Sequence, residues 1–252
     1  MTSALEQSSS YKPGRIKAVC LDIDDTLLDS EGASRRGLRA LVGNERAWPV
    51  WKAITDEHYA RFVAGRIDYE SMCVERTRAF FAAFGQQLSA AEAVRRETAR
   101  MAAVQRSWCL FGDAWPCLEW LRATGLRTAV ITNAPSAYQR GKIAALGLAD
   151  AFDAVLISEE VGFAKPDPRI FAAACAALDV SPEEVVHVGD RLETDALGAA
   201  RAGLHGVWLD RKRRGGLSEP GVPVIRNLYE LTELLVCDVT ISELPGLVGL
   251  TG

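Results

Sequence analysis

The chain alternates between two textures of hydrophobic and polar positions. A short apolar run, Ala18-Val19-Cys20-Leu21, breaks off abruptly into the acids Asp22, Asp24 and Asp25. A run of that kind suits a strand buried on both faces of a parallel sheet. Residues 32–108 carry a different signal, with one proline (Pro49), no convincing strand and apolar positions at helical spacing. Tyr59, Phe62 and Val63 share one face, and Val74, Thr77, Phe80, Phe81 and Phe84 another. Ser89 is a good N-cap for a helix running to Arg106.

Past residue 108 strand and helix patterns take turns. Strands are predicted at 127–132, 154–157, 185–188, 206–209 and 224–225. Helices are predicted at 114–123, 137–146, 167–178, 195–202 and 228–236, three of them closed by Gly125, Gly147 and Gly203. Repeated units of this length imply an α/β core built on a doubly wound, Rossmann-like parallel sheet. The helical stretch between the first strand and the rest reads as an inserted all-α subdomain. The expected organisation is therefore a loose tail at 1–14, an α/β core at 15–31 and 109–236, a helical insert at 32–108, and a tail at 237–252.

Polar residues fall at particular places on this frame. The first strand ends in Asp22-Ile23-Asp24, and the second in Thr132-Asn133. Lys165-Pro166 follows the third, and the fourth ends in Gly189-Asp190, with Asp195 five residues on. All four stations lie at or beyond C-terminal strand ends, the edge at which open α/β sheets bind ligands. Asp22 and Asp24, two apart, project the same way in a locally extended chain, and a curl there would let both reach one site, with Thr26 and Asp29 as candidates for the turn hydrogen bonds. Two carboxylates that close need a cation between them or a proton on one of them. Asp22, Asp190 and Asp195 with a backbone carbonyl make a hard, oxygen-rich site suited to Mg²⁺. A hydroxyl (Thr132), an ammonium (Lys165) and amides near a helix start are donors for a phosphate. Together they fit phosphoryl transfer through an aspartyl-phosphate.

Composition narrows the partners. The 252 residues are 48% hydrophobic and 25% charged, with a formal net charge of -4. That balance argues against a general nucleic-acid binder, and no apolar run is long enough to span a bilayer. Residues 1–14 are polar and Ser-rich and lack the apolar core of a secretion signal. Six scattered cysteines without a CxxC pair point to reduced thiols and a cytoplasmic setting. Oligomeric state is left open.

The stretches LDIDDTLL, ITNAP, AKPDP and VGDRLETD resemble, in order, the four motifs of the haloacid dehalogenase (HAD) superfamily of hydrolases. The resemblance spans about residues 15–236, and the helical insert is similar to the C1-type cap of that family. It implies that Asp22 attacks phosphorus and that Asp24 protonates the leaving oxygen and then activates water. It further implies that Thr132, with Asn133 beside it, and Lys165 bind the phosphoryl group. Mg²⁺ would be held by Asp22, the carbonyl of Asp24 and Asp190, with Asp195 completing the site directly, through water or through Lys165. Dehalogenating relatives lack the carboxylate at the position of Asp24, so a phosphatase of a small phosphorylated metabolite, a nucleotide or a sugar phosphate, is expected. A phosphomutase and a non-catalytic binding module are the alternatives. Asp25 looks more like the nucleotidase-like and acylneuraminate-phosphatase-like branches.

Elsewhere plainer roles are expected. His187 reads as a packed strand residue, and His58 and His205 are isolated. Arg211-Lys212-Arg213-Arg214 reads as a solvated loop. Trp48, Trp51, Tyr59 and Phe62 read mostly as core of the insert, with Arg66 and Arg76 as possible substrate contacts.

Overall fold

The computed structural model describes residues 16–213 and 220–238. The tail expected at 1–14, Arg214 and everything beyond 238 lie outside these residues. The described chain divides into an α/β unit (residues up to Leu27, Phe111–Asn133, and from Ala149 on) and a helical unit (Leu28–Leu110 and Ala134–Leu148).

In the α/β unit six strands form one parallel sheet: β1 (Ala18–Leu21), β2 (Arg127–Thr132), β3 (Ala154–Ile157), β4 (Val185–Gly189), β5 (His205–Leu209) and β6 (Val224–Ile225). Their order is β3-β2-β1-β4-β5-β6. β1 is central and all four of its residues are fully buried, as its unbroken apolar run requires. The register pairs Leu21 with Val130 on one side and Val188 on the other. Asp22 therefore leaves the sheet level with Ile131 and Gly189, with Thr132 and Asp190 one residue further along. The switch point, where strand order reverses around β1, is where a doubly wound sheet opens its crevice.

Helices α5 (Ala114–Ala123), α7 (Ser158–Val161), α8 (Pro168–Leu178), α9 (Leu197–Arg201) and α10 (Leu228–Asp238) complete this unit. Ile170, Phe171, Ala174, Cys175 and Leu178 of α8 pack on Ala18, Cys20, Ala129 and Ile131 of the sheet. The helix expected at 195–202 is in fact a wide π turn over Leu192–Ala196 leading into α9. The short helix α7 follows β3 directly and has no counterpart in the periodicity analysis. Gly206 has no room for a side chain, because a Cβ would sit 1.9 Å from the Ala196 carbonyl oxygen.

The helical unit contains α1 (Ser30–Val42), α2 (Trp48–Val63), α3 (Tyr69–Ala82), α4 (Ala90–Gln105) and α6 (Ser136–Ala145). Asp29, Asp68 and Ser89 cap α1, α3 and α4 by accepting a backbone N–H three residues on. Trp51, Phe80, Phe81, Leu38 and Leu88 form its core. Buried beside them, Glu97 accepts from Arg76, Arg100 and Thr77 at 2.6–2.9 Å. Both guanidiniums lie 4.8 Å from the Trp51 ring centre. Arg76 is therefore a buried partner of Glu97 rather than a substrate contact, while Arg66 is exposed. Trp48 and Trp51 are core as expected, with Tyr59 and Phe62 half-buried.

Helix α6, expected within the α/β core, belongs to the helical unit. Its Tyr138 packs on Trp108 and Tyr69 with ring centres 5.7 and 5.8 Å apart, and Lys142 lies 4.7 Å above Tyr138. Those aromatic contacts bind it to residues far away in sequence, which helical periodicity alone does not reveal. Among the described residues no helix is long and apolar enough to cross a membrane.

Candidate active site

The site is built in the α/β unit from chain that has just left a strand. The Asp22 N–H still donates to the Val188 carbonyl at 2.9 Å, so the first residue beyond β1 is fixed by the ladder. The chain then curls: the N–H groups of Thr26 and Leu27 both donate to the Ile23 carbonyl at 3.2 and 2.9 Å. Asp25 sits in this curl at φ 60°, a left-handed conformation that costs a non-glycine residue about 1–2 kcal/mol. The side chains expected to supply the turn hydrogen bonds do not. Thr26 buries its hydroxyl without a partner, and Asp29 caps α1 instead.

Lys165 is the organising cation. Its ammonium lies 2.7 Å from Oδ1 of Asp22, 2.7 Å from Oδ1 of Asp195 and 2.6 Å from the Ile131 carbonyl. Burial opposes its charge, but Asp195 and Asp22 outweigh burial and hold the ammonium firmly protonated. The backbone of Lys165 is held in turn by Asn133, which accepts from its N–H and donates to its carbonyl, both at 2.8 Å. Asn133, expected at the substrate, thus spends its side-chain amide fixing the loop that carries Lys165. Thr132 is buried at the end of β2.

Asp195 is saturated. Burial would raise its pKa, yet Lys165 and His187 outweigh it and hold the carboxyl well below the usual carboxylate range. Its Oδ1 meets Lys165 and, at 3.4 Å, Nε2 of His187, while Oδ2 accepts the Arg191 N–H at 3.0 Å. The contact of Asp195 with Lys165 is one of the routes open to it in the sequence. His187 is fully buried and packs edge-on against Phe171, its ring centre 5.2 Å away, as a packed strand residue should. Its contact with Asp195 had no signal in the sequence, because a histidine in an apolar strand looks the same with or without a carboxylate across from it. Gly189 lets Asp195 approach: a Cβ there would fall 2.3 Å from the Asp195 carboxyl carbon.

Asp22 is the group left short of positive charge. Burial pushes its pKa up to about 7, Lys165 pulls it down, and Asp195, Asp24 and Asp190 push it up again. Three further carboxylates thus act on one buried acid, with one ammonium already shared between Asp22 and Asp195. Among the described residues no three Asp, Glu, His or Cys side chains are gathered tightly enough to hold a metal by themselves.

A buried acid paired with lysine at the end of the central strand, with a second acid two residues on, matches the haloacid dehalogenase-like hydrolases, whose family profile covers residues 16–203. The chain belongs to this family. Among curated HAD relatives, the phosphoserine phosphatase of Thermus thermophilus is 40% identical over 79% of this chain and 90% of its own. The N-acylneuraminate-9-phosphatase of Mus musculus is 31% identical over 90% of this chain and 98% of its own. Among solved structures, the magnesium-bound HAD-hydrolase YfnB of Bacillus subtilis shares the fold, with a TM-score of 0.75 and 24% identity over 88% of this chain and 99% of that one. As a HAD hydrolase the chain is an enzyme whose curated relatives are phosphatases of small phosphorylated metabolites.

Proposed function

We propose that this HAD hydrolase is a Mg²⁺-dependent phosphatase that cleaves a small phosphomonoester through an aspartyl-phosphate on Asp22. The observation that carries the reading is the Asp22–Lys165 contact of 2.7 Å at the end of β1, two residues ahead of Asp24. Oδ of Asp22 attacks phosphorus while the bond to the leaving oxygen breaks, and Asp24 gives that oxygen its proton. A water then attacks the phosphorus of the aspartyl-phosphate, Asp24 takes its proton, and Asp22 is released with inorganic phosphate. Lys165 and Thr132 stand where negative charge builds on the transferring group. Asn133 and Asp195 hold Lys165 in place from its backbone and its ammonium.

The donor set fits Mg²⁺. Asp22 and Asp190, with the carbonyl of Asp24, offer hard oxygens, and the acids around Asp22 exceed the positive charge beside it. Mg²⁺ is held through one or two carboxylates plus substrate oxygens and retains waters, so it needs no closed protein cage. When bound it supplies the charge that keeps Asp22 ionised beside a phosphate dianion. The expected cytoplasmic setting agrees with the described cysteines, all of which are free. Phosphate release from phosphoserine, glyceraldehyde 3-phosphate, an acylneuraminate 9-phosphate, nucleotides and sugar phosphates tests the reading, with Mg²⁺ and with chelator. Turnover that needs the metal and vanishes in Asp22→Asn supports it; absence of turnover on every member of the panel contradicts it.

A further inference from the structure

Arg211 belongs to a basic run that reads as a solvated loop, yet its side chain is only 14% exposed. Its two terminal nitrogens grip Asp113 as a parallel fork, Nη1 to Oδ2 at 2.8 Å and Nη2 to Oδ1 at 2.9 Å. Nη2 also donates to the Thr26 carbonyl at 2.8 Å, and the guanidinium lies 4.0 Å above the Phe111 ring centre. Asp113 is itself fixed, because Oδ2 accepts the Leu228 N–H that opens α10. Two neighbouring contacts act on the same stretch of chain: Phe111 N–H donates to the Leu27 carbonyl at 2.8 Å, and Lys212 lies 3.5 Å from Asp25.

We infer that Arg211, locked on Asp113, is a positioning residue for Asp24: it clamps the Thr26 carbonyl and thereby sets the curl that carries the acid–base carboxylate. The inference rests on the phosphatase reading for the role of Asp24. The curl has the features that call for an external clamp. It includes a non-glycine residue at positive φ, a conformation that persists only where the surroundings over-determine it. Neither Thr26 nor Asp29 supplies its turn hydrogen bonds. Two parallel bonds to a carboxylate plus a third to a carbonyl need the planar fork of arginine, which an ammonium cannot reproduce.

A leaving-group series distinguishes positioning from plain structural support. Proton donation matters most when the departing oxygen is basic, so a misaimed Asp24 penalises alkyl phosphates and spares aryl phosphates with acidic phenols. With Arg211→Met, kcat/KM is expected to fall about tenfold or more for an alkyl phosphate and to change little for p-nitrophenyl phosphate. Asp24→Asn should show the same steepening more strongly, and Arg211→Lys and the milder Asp113→Asn a smaller one. Equal losses across the series, or none, overturn the inference. Amide hydrogen exchange over residues 23–27 provides a readout independent of turnover. Exchange faster in Arg211→Lys or Asp113→Asn than in the parent supports the clamp, and unchanged exchange overturns it. If the parent itself hydrolyses no phosphomonoester, the phosphatase reading fails, and the clamp is then judged on exchange alone.

Discussion

Asp22 and Lys165 stand 143 residues apart in sequence and 2.7 Å apart in space. The contact joins the end of the central strand to the loop between α7 and α8, and it makes the ammonium part of the environment of Asp22. Lys165→Met leaves two buried carboxylates, Asp22 and Asp195, without their common counter-ion. Its kcat should drop by about 10²–10³-fold, the scale set by removing one charge-stabilising donor at a reacting group. Steady-state kinetics on any accepted substrate checks this.

Asp22 binds its proton more tightly in the folded chain, where burial lifts its pKa to about 7, than in the unfolded chain. The folded state therefore gains from this group at low pH and loses that gain as pH rises through about 7. Without metal, Asp22→Asn should melt a few degrees higher than the parent above that pH, and the gap should close toward about pH 4, the ordinary carboxylate range. Mg²⁺ should raise the melting temperature of the parent more than that of the variant. Thermal melts across pH, with and without the metal, carry the test; superimposable profiles contradict it.

Asn133→Ala removes both side-chain bonds to the Lys165 backbone. We expect a stability loss of about 1–3 kcal/mol from the two unpaired backbone groups. If Asn133 acts by holding Lys165, kcat should fall while KM stays nearly constant. A rise in KM alone would return Asn133 to the substrate.

Glu97→Gln in the helical unit leaves Arg76 and Arg100 buried without their carboxylate. Breaking one side of such a buried network costs about 3–5 kcal/mol. Urea unfolding followed by far-ultraviolet circular dichroism is the measurement.

Features that depend on local pattern are legible in the sequence. The run Ala18–Leu21 fixes a fully buried strand, and polar residues directly after apolar runs fix which edge of the sheet carries chemistry. Long-range pairing has no such signature. Arg211 reads as one more surface cation because its partner Asp113 is 98 residues away. Asn133 lies beside Thr132 in sequence, yet its amide turns to Lys165, 32 residues on. Helix α6 has the length and spacing of any crossover helix, yet it belongs to the helical unit, where Tyr138 stacks on Trp108 and Tyr69.

The central claim is that Asp22 carries the phosphoryl group between the two half-reactions. Rapid acid quench of the enzyme turning over a phosphomonoester with Mg²⁺, followed by peptide mass spectrometry, tests this most directly. One phosphoryl group is expected on the peptide containing Asp22, absent with chelator and absent in Asp22→Asn. Phosphate release at full rate from Asp22→Asn, or a phosphoryl group found on another residue in its place, would contradict it.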